Sequence, residues 1–123
     1  MKIKILPEDK LCSQYIRSRD RRCVRCGSPV RFNDEGLPIS HSASHYITRG
    51  NWAVRFYPPN IDTLCFPCHR LWGGDLREDY KKFKVGQLGQ KGFNALIRKS
   101  NERVSKLKVR AWAKEHFKKP LKD

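Results

Sequence analysis

The sequence predicts a small α+β domain that depends on a bound metal for its stability, and three observations predict it. Four of the five cysteines fall in two Cys-x2-Cys pairs, Cys23/Cys26 and Cys65/Cys68. Short strand-like stretches lie around and between those pairs, and helical periodicity fills both ends of the chain. At 123 residues, 38% hydrophobic and 32% charged, the chain has material for one lean core, and lean cores of this size are usually stapled by a metal or by disulfides. A single domain over 1–123 is expected. Its core spans about residues 20–74, and a helical extension spans about 75–119.

Residues 8–20 place Leu11, Cys12, Tyr15 and Ile16 on one helical face. Residues 23–27 make a turn that presents two thiols. Val30, Phe32 and residues 37–39 suggest short strands around the polar turn Asn33-Asp34-Glu35-Gly36. Residues 46–60 are too long and irregular for a hairpin turn and are punctuated by Gly50, Pro58 and Pro59, so a long functional loop is expected. A strand over 61–64 leads into a helix with Pro67 in its first turn and Gly73-Gly74 at its end. Two further helices are read over 75–85 and 90–99, from Leu76, Tyr80 and Phe83 and from Phe93, Leu96 and Ile97. Asn101 is expected to cap a last helix that runs to about Phe117, with Val104, Leu107, Ala111 and Trp112 as its apolar stripe.

The formal charge is +15, from 27 Lys and Arg against 12 Asp and Glu. Both halves of the chain carry it, which favours a polyanionic partner, nucleic acid above all. No transmembrane run or secretory segment stands out, so a cytoplasmic protein without a membrane partner is expected (host cytoplasm, if a phage encodes it). An odd number of cysteines argues against a closed disulfide framework. Two thiolates on each of two tight turns can complete a tetrahedral all-sulfur site, which suits zinc. With all four ligands from protein, that site is structural. Cys12, left over, is expected to be a buried apolar residue.

Beside the two pairs stand His45, Asn60 and His69. The order CxxC, then SH, then N, then LCxxCH, carried by SHYITRGNWAVRFYPPNIDTLCFPCHRLW, resembles the HNH endonucleases (ββα-metal, His-Me finger) with a zinc-bound frame. In particular it resembles phage recombination nucleases of the NinG/Rap type, and it is also similar to the phage junction-resolving recombination endonuclease. In outline the likeness runs from Cys23 to about Leu96.

The resemblance implies a ββα-metal core stapled by zinc and flanked by N- and C-terminal helices. It implies a DNA endonuclease, a phosphodiester hydrolase acting on branched or recombination-intermediate DNA. His45 would be the general base, Asn60 would tie down the loop and orient His45, and His69 would hold one Mg²⁺ or Mn²⁺. A junction cutter needs two active sites, so a homodimer is expected with it. This chain departs from the family where many members have Asp or His immediately before the base. Ser44 stands there, and a serine hydroxyl is a poor ligand for a divalent cation. His41 or Asp62 is the alternative source of the missing ligand, or else water and DNA phosphate fill it.

Arg49, Trp52 and Arg55 interleave charge with an aromatic ring, a pattern that can clamp phosphate and stack on a base. The competing reading has Trp52 plug the loop onto the core, as expected for Phe56. A second basic cluster, with Arg17, Arg19, Arg21, Arg22 and Arg25, would meet backbone phosphates. The Lys-rich last helix is a third contact or a solvated face, and His116 on it is read as a solvated residue. The alternative to the nuclease is a non-catalytic zinc-knuckle binder of nucleic acid, which needs neither His45 nor His69.

Overall fold

In a computed structural model, which describes residues 3–118, the chain turns helical as soon as its first proline allows. Proline suits the first helical position because its missing N–H has no partner there in any case. Pro7 therefore opens α1 (Pro7–Asp20). Asp9 reaches back to accept the Leu6 amide at 2.8 Å, and Glu8 and Asp9 set negative charge against the positive end of the helix dipole. Arg21 takes a left-handed conformation, φ 63°, and closes the helix through its amide to the Arg17 carbonyl.

β1 (Ser42–His45) and β2 (Ile61–Leu64) pair antiparallel, with Ser42 opposite Leu64, Ala43 opposite Thr63, Ser44 opposite Asp62 and His45 opposite Ile61. Side chains alternate across a strand, so this register sorts the sheet into two faces. On one face Ile61 joins Cys12 and Ile16 of α1, Phe56 of the loop, and Ala113 and Phe117 of α4 (Lys106–His116, with Phe117 as its C-cap), with Ala43 packed against them. On the other face Leu64 meets Cys68 and Trp72 of α2 (Phe66–Gly73) and Tyr80, Phe93 and Leu96 of α3 (Arg77–Ser100). The Trp72 ring stacks on Tyr80 at 4.5 Å. The architecture is mixed: four helices and one two-stranded sheet among the described residues. None of these helices is long and apolar enough to cross a membrane.

Several expectations change. The stretch read as short strands from Val30 to Ile39 forms only isolated bridges, Arg22 with Pro29 and Phe32 with Pro38. Two of those four residues are prolines, which lack an amide to donate to a ladder. The polar turn is as expected: Asn33 Oδ1 accepts the Glu35 and Leu37 amides, and Gly36 supplies a φ of 81°. The two helices expected over 75–85 and 90–99 form one run broken at Gly89, whose φ of 74° favours glycine.

The last helix starts later than expected. Asn101 ends α3 instead of capping α4, its side-chain amide donating to the Ile97 carbonyl. Ser105 is the N-cap, accepting the Lys108 amide. The expected apolar stripe is also rotated: Leu107 is 79% exposed, whereas Val109, Ala113 and Phe117 turn inward. The cause is electrostatic as well as apolar. Arg110 donates to Glu8, a fully buried carboxylate of α1, and a buried charge is tolerated only with its partner in place. The expected extension reaches 119, which lies outside the described residues.

Candidate functional site

The two Cys-x2-Cys pairs come together. Cys23 and Cys26 sit on a tight turn in which the Gly27 amide donates to the Cys23 carbonyl and Gly27 takes φ 82°. The Val24 amide donates to the Thr63 carbonyl and fastens that turn to β2. Cys65 caps α2 and Cys68 lies in its first turn. All four Sγ atoms lie within 4.8 Å of one another, and Cys26 and Cys65 are 3.6 Å apart. A tetrahedral zinc with Zn–S near 2.3 Å needs sulfurs about 3.8 Å apart, so the four thiols fit a structural zinc.

Without a bound metal the surroundings act on the thiols in opposite directions: burial pushes Cys68 up to about 12, against the pull of Arg25. The Cys26 amide donates to Cys23 Sγ at 3.4 Å, and the Arg25 guanidinium donates to Cys68 Sγ at 3.4 Å. The Ser28 hydroxyl beside Cys26 pushes its thiol down to about 6. Cys12 is buried on the opposite face, where burial pushes its thiol up to about 12 and leaves it an unreactive packing residue.

His45 ends β1 and faces a different environment. With Asp9, Lys10, Ser13, Gln14 and Arg17 of α1, and with Arg49, it lines a cleft of about 410 Å³. Its Nε2 lies 2.8 Å from the Arg55 carbonyl oxygen. A carbonyl only accepts, so Nε2 carries the proton and Nδ1 is left with its lone pair. Burial pulls the imidazole pKa below its ordinary value; the Arg55 carbonyl and Asp9 oppose the shift and Arg49 adds to it.

Asn60 is fully buried. Its Oδ1 accepts the Ile47 amide at 2.8 Å, and its Nδ2 donates to the Ile47 and Val54 carbonyls at 2.9 and 3.3 Å. One side chain thus ties both ends of the loop whose Arg55 carbonyl holds His45.

The other candidates are placed less favourably. His69 is exposed on α2, which packs on the sheet face opposite α1, and it does not line the His45 cleft. His41 is not available as a cation ligand: Nε2 contacts the Ser28 hydroxyl and carbonyl at 3.0 and 3.1 Å, and Nδ1 contacts the Ser40 hydroxyl at 3.0 Å. It braces the cysteine turn instead. Ser44 is buried on the α2–α3 face opposite Asp62. Asp62 is fully buried and already takes Lys84 at 3.1 Å, Tyr80 at 2.9 Å and Gln87 at 3.1 Å. Among the described residues, the four cysteines are the one cluster of three or more His, Cys, Asp or Glu ligand atoms.

The basic residues divide. Arg55, expected to grip phosphate, is 2% exposed, pairs with Asp9 at 2.6 Å and donates to the Lys4 carbonyl. Its position is structural, because it fixes the loop to the start of α1. Trp52 follows the packing alternative, edge-on to Phe56 with the Arg55 guanidinium over its ring at 4.5 Å. Arg17 and Arg19 cap carbonyls, Arg17 at Pro38 and Ser40 and Arg19 at Pro58 and Ile61. Arg21 and Arg22 are exposed, with Arg21 over the Phe32 ring. Arg49 donates to the Ile3 carbonyl, while its buried Nε has no partner. His116 is exposed, as expected, but stacked on Trp112 at 4.5 Å.

Sequence reading missed the α1 wall of the cleft. Lys10, Ser13 and Gln14 stand at helical spacing with Arg17, which the sequence places in a basic cluster, and together they make a polar stripe opposite the apolar one. It also missed Lys84, which is fully buried and donates to Asp62, Gln87 and the Pro59 carbonyl. No local pattern marks a buried lysine.

Residues 6–122, nearly the whole chain, match the family model described as Bacteriophage Lambda NinG protein. No curated protein and no solved structure matches.

Proposed function

The chain belongs to the bacteriophage Lambda NinG protein family, and from that premise we propose that it is a DNA endonuclease of the HNH type that acts on branched, recombination-intermediate DNA. The observation that carries the proposal is the oriented imidazole. His45 donates through Nε2 to the Arg55 carbonyl at 2.8 Å and lines a cleft with Lys10, Arg17 and Arg49. A neutral imidazole with one nitrogen anchored and the other free is a general base held ready, and positioned proton transfer contributes roughly 10²–10⁴ in rate. Nδ1 takes a proton from the attacking water, and the Arg55 carbonyl dipole then stabilises the imidazolium. Asn60 keeps that carbonyl in place. Arg49, which lines the same cleft, supplies guanidinium charge for a phosphate oxygen.

Mg²⁺ or Mn²⁺ would stabilise the charge that builds on the leaving 3′-oxygen. The residues around His45 do not make a site for it. Asp9 is committed to Arg55 and to the Leu6 amide, Ser44 faces away, and His69, exposed on α2, does not line the His45 cleft. His69 would be the remaining side chain to hold one, completed by water and DNA phosphate. The commitment of Asp9 to Arg55 and the Leu6 amide favours a second reading, a zinc-stapled binder that cuts nothing.

The test is cleavage of a labelled four-way junction and of a linear duplex, with and without Mg²⁺, by wild type and His45→Ala. The expected outcome is cation-dependent cutting of the junction that falls at least 10²-fold in the variant, at unchanged DNA affinity. Binding by both proteins without cutting by either establishes the second reading.

A further inference from the structure

We propose that the cleft between the 53–57 turn and the start of α4 binds one unpaired nucleotide of a DNA strand, the base against its aromatic wall and the phosphate on its cationic rim. The inference rests on the DNA reading above and names what a branched substrate would offer that a plain duplex does not.

The cleft encloses about 600 Å³, a size typical of small-ligand sites. Phe56, Tyr57 and Trp112 line it together with Lys99, Arg103 and Lys108, and no acidic residue lines it. Trp112 is 47% exposed although it is large and apolar. Its ring is held by stacking on His116 at 4.5 Å with only 12° between the planes, and edge-on by Phe117. An exposed indole fixed in one orientation, bordered by cations, is the combination that single-strand binders use. Bases of any sequence stack on the ring, and the phosphate meets the charge.

The charge argues against other occupants. Lys99 has Glu102 at 3.5 Å, but a neutral apolar ligand leaves the charges of Arg103 and Lys108 unanswered, and a second copy of this chain brings its own +15. A duplex keeps its bases paired and has none to offer. The site is also tied to the catalytic loop. One turn presents the Arg55 carbonyl to His45 and contributes Phe56 and Tyr57 to the lining of this cleft, while the two clefts share no lining residue.

The test is fluorescence anisotropy of labelled oligo(dT) and of a blunt duplex. Trp112→Ala is expected to weaken oligo(dT) binding about tenfold and duplex binding by less than about twofold, and Trp112→Phe to restore most of the loss. Lys108→Gln, whose side chain is exposed, is expected to lower the salt dependence of oligo(dT) binding by about 0.7 in log–log slope, so a misfolded Trp112→Ala does not end the test. Equal losses on both DNAs, or no loss on oligo(dT) with either variant, overturn the proposal while junction cutting by His45 stands. Failure of the wild type to bind any DNA overturns both.

Discussion

The two faces of the sheet are held by different means. On the α2–α3 face, two cysteine pairs, each local in sequence, meet through a few fixed turns, and the aromatic stack of Trp72 on Tyr80 backs them. On the α1–α4 face, ion pairs between distant residues do the fastening. Arg110 holds Glu8, 102 positions away, and Arg55 holds Asp9, 46 positions away. The cysteine cluster is therefore specified by spacing, whereas the His45 face, like the buried Lys84–Asp62 pair beside the cysteine cluster's own core, depends on matched charges that no short motif contains. The difference also divides labour: one face stabilises the chain, and the other carries the oriented histidine.

Removing the metal face should have the largest effect. Zinc binding is folding free energy in small metal-stapled proteins, so Cys65→Ala is expected to abolish the cooperative thermal transition, and strong chelation should do the same to wild type. A retained sharp transition, followed by circular dichroism, would remove the contrast between the faces. The other face should yield by a smaller amount. Asp9→Asn leaves Arg55 buried without its counter-charge, and breaking such a pair by removing one partner costs about 3–5 kcal/mol. Denaturant unfolding measures it. Because Arg55 also offers its carbonyl to His45, cleavage should fall further than stability alone explains.

This contrast decides what was legible in the sequence. The four cysteines, α1, β2 and the bounds of α2 follow from spacing, proline and glycine, all local signals. His45 and Asn60 were visible as a motif, and the structure shows a buried amide and an anchored imidazole at those positions. Arg55 was read as a phosphate contact because its burial depends on Asp9, which nothing near it in sequence announces. Lys84 was invisible for the same reason, its partners Asp62 and the Pro59 carbonyl lying on other elements. The α4 stripe was misread because rotation of that helix is set by Glu8, at the far end of the chain.

A smaller test concerns where α4 begins. If Ser105 is its N-cap, Ser105→Ala should cost about 1 kcal/mol, while Asn101→Ala should leave the start of α4 unaffected. Urea unfolding of the two variants separates the assignments, because a cap at Asn101 would reverse their order.

The smallest effect expected is one of pH, and it sharpens the picture of His45. Its pKa is depressed in the folded chain, chiefly by burial, with Arg49 adding to the shift and the Arg55 carbonyl and Asp9 opposing it. Below about pH 6.5, the ordinary histidine value, the unfolded chain takes up a proton that folded His45 still refuses. Stability from this group is therefore fully present above that pH and is lost as pH falls through the lower folded value. Glu8 and Asp9, whose pKa values are also lowered, begin to act only below the ordinary carboxylate range near 4. The interval between about pH 4.5 and 6.5 thus isolates the histidines. Thermal melts across it should show wild type losing stability on acidification more steeply than His45→Gln. The same shift keeps the base neutral, so the acid limb of cleavage should lie below about pH 6.5. Parallel melting curves for the two proteins would mean that His45 is solvated in the folded chain, and the argument for an oriented base would lose its physical ground.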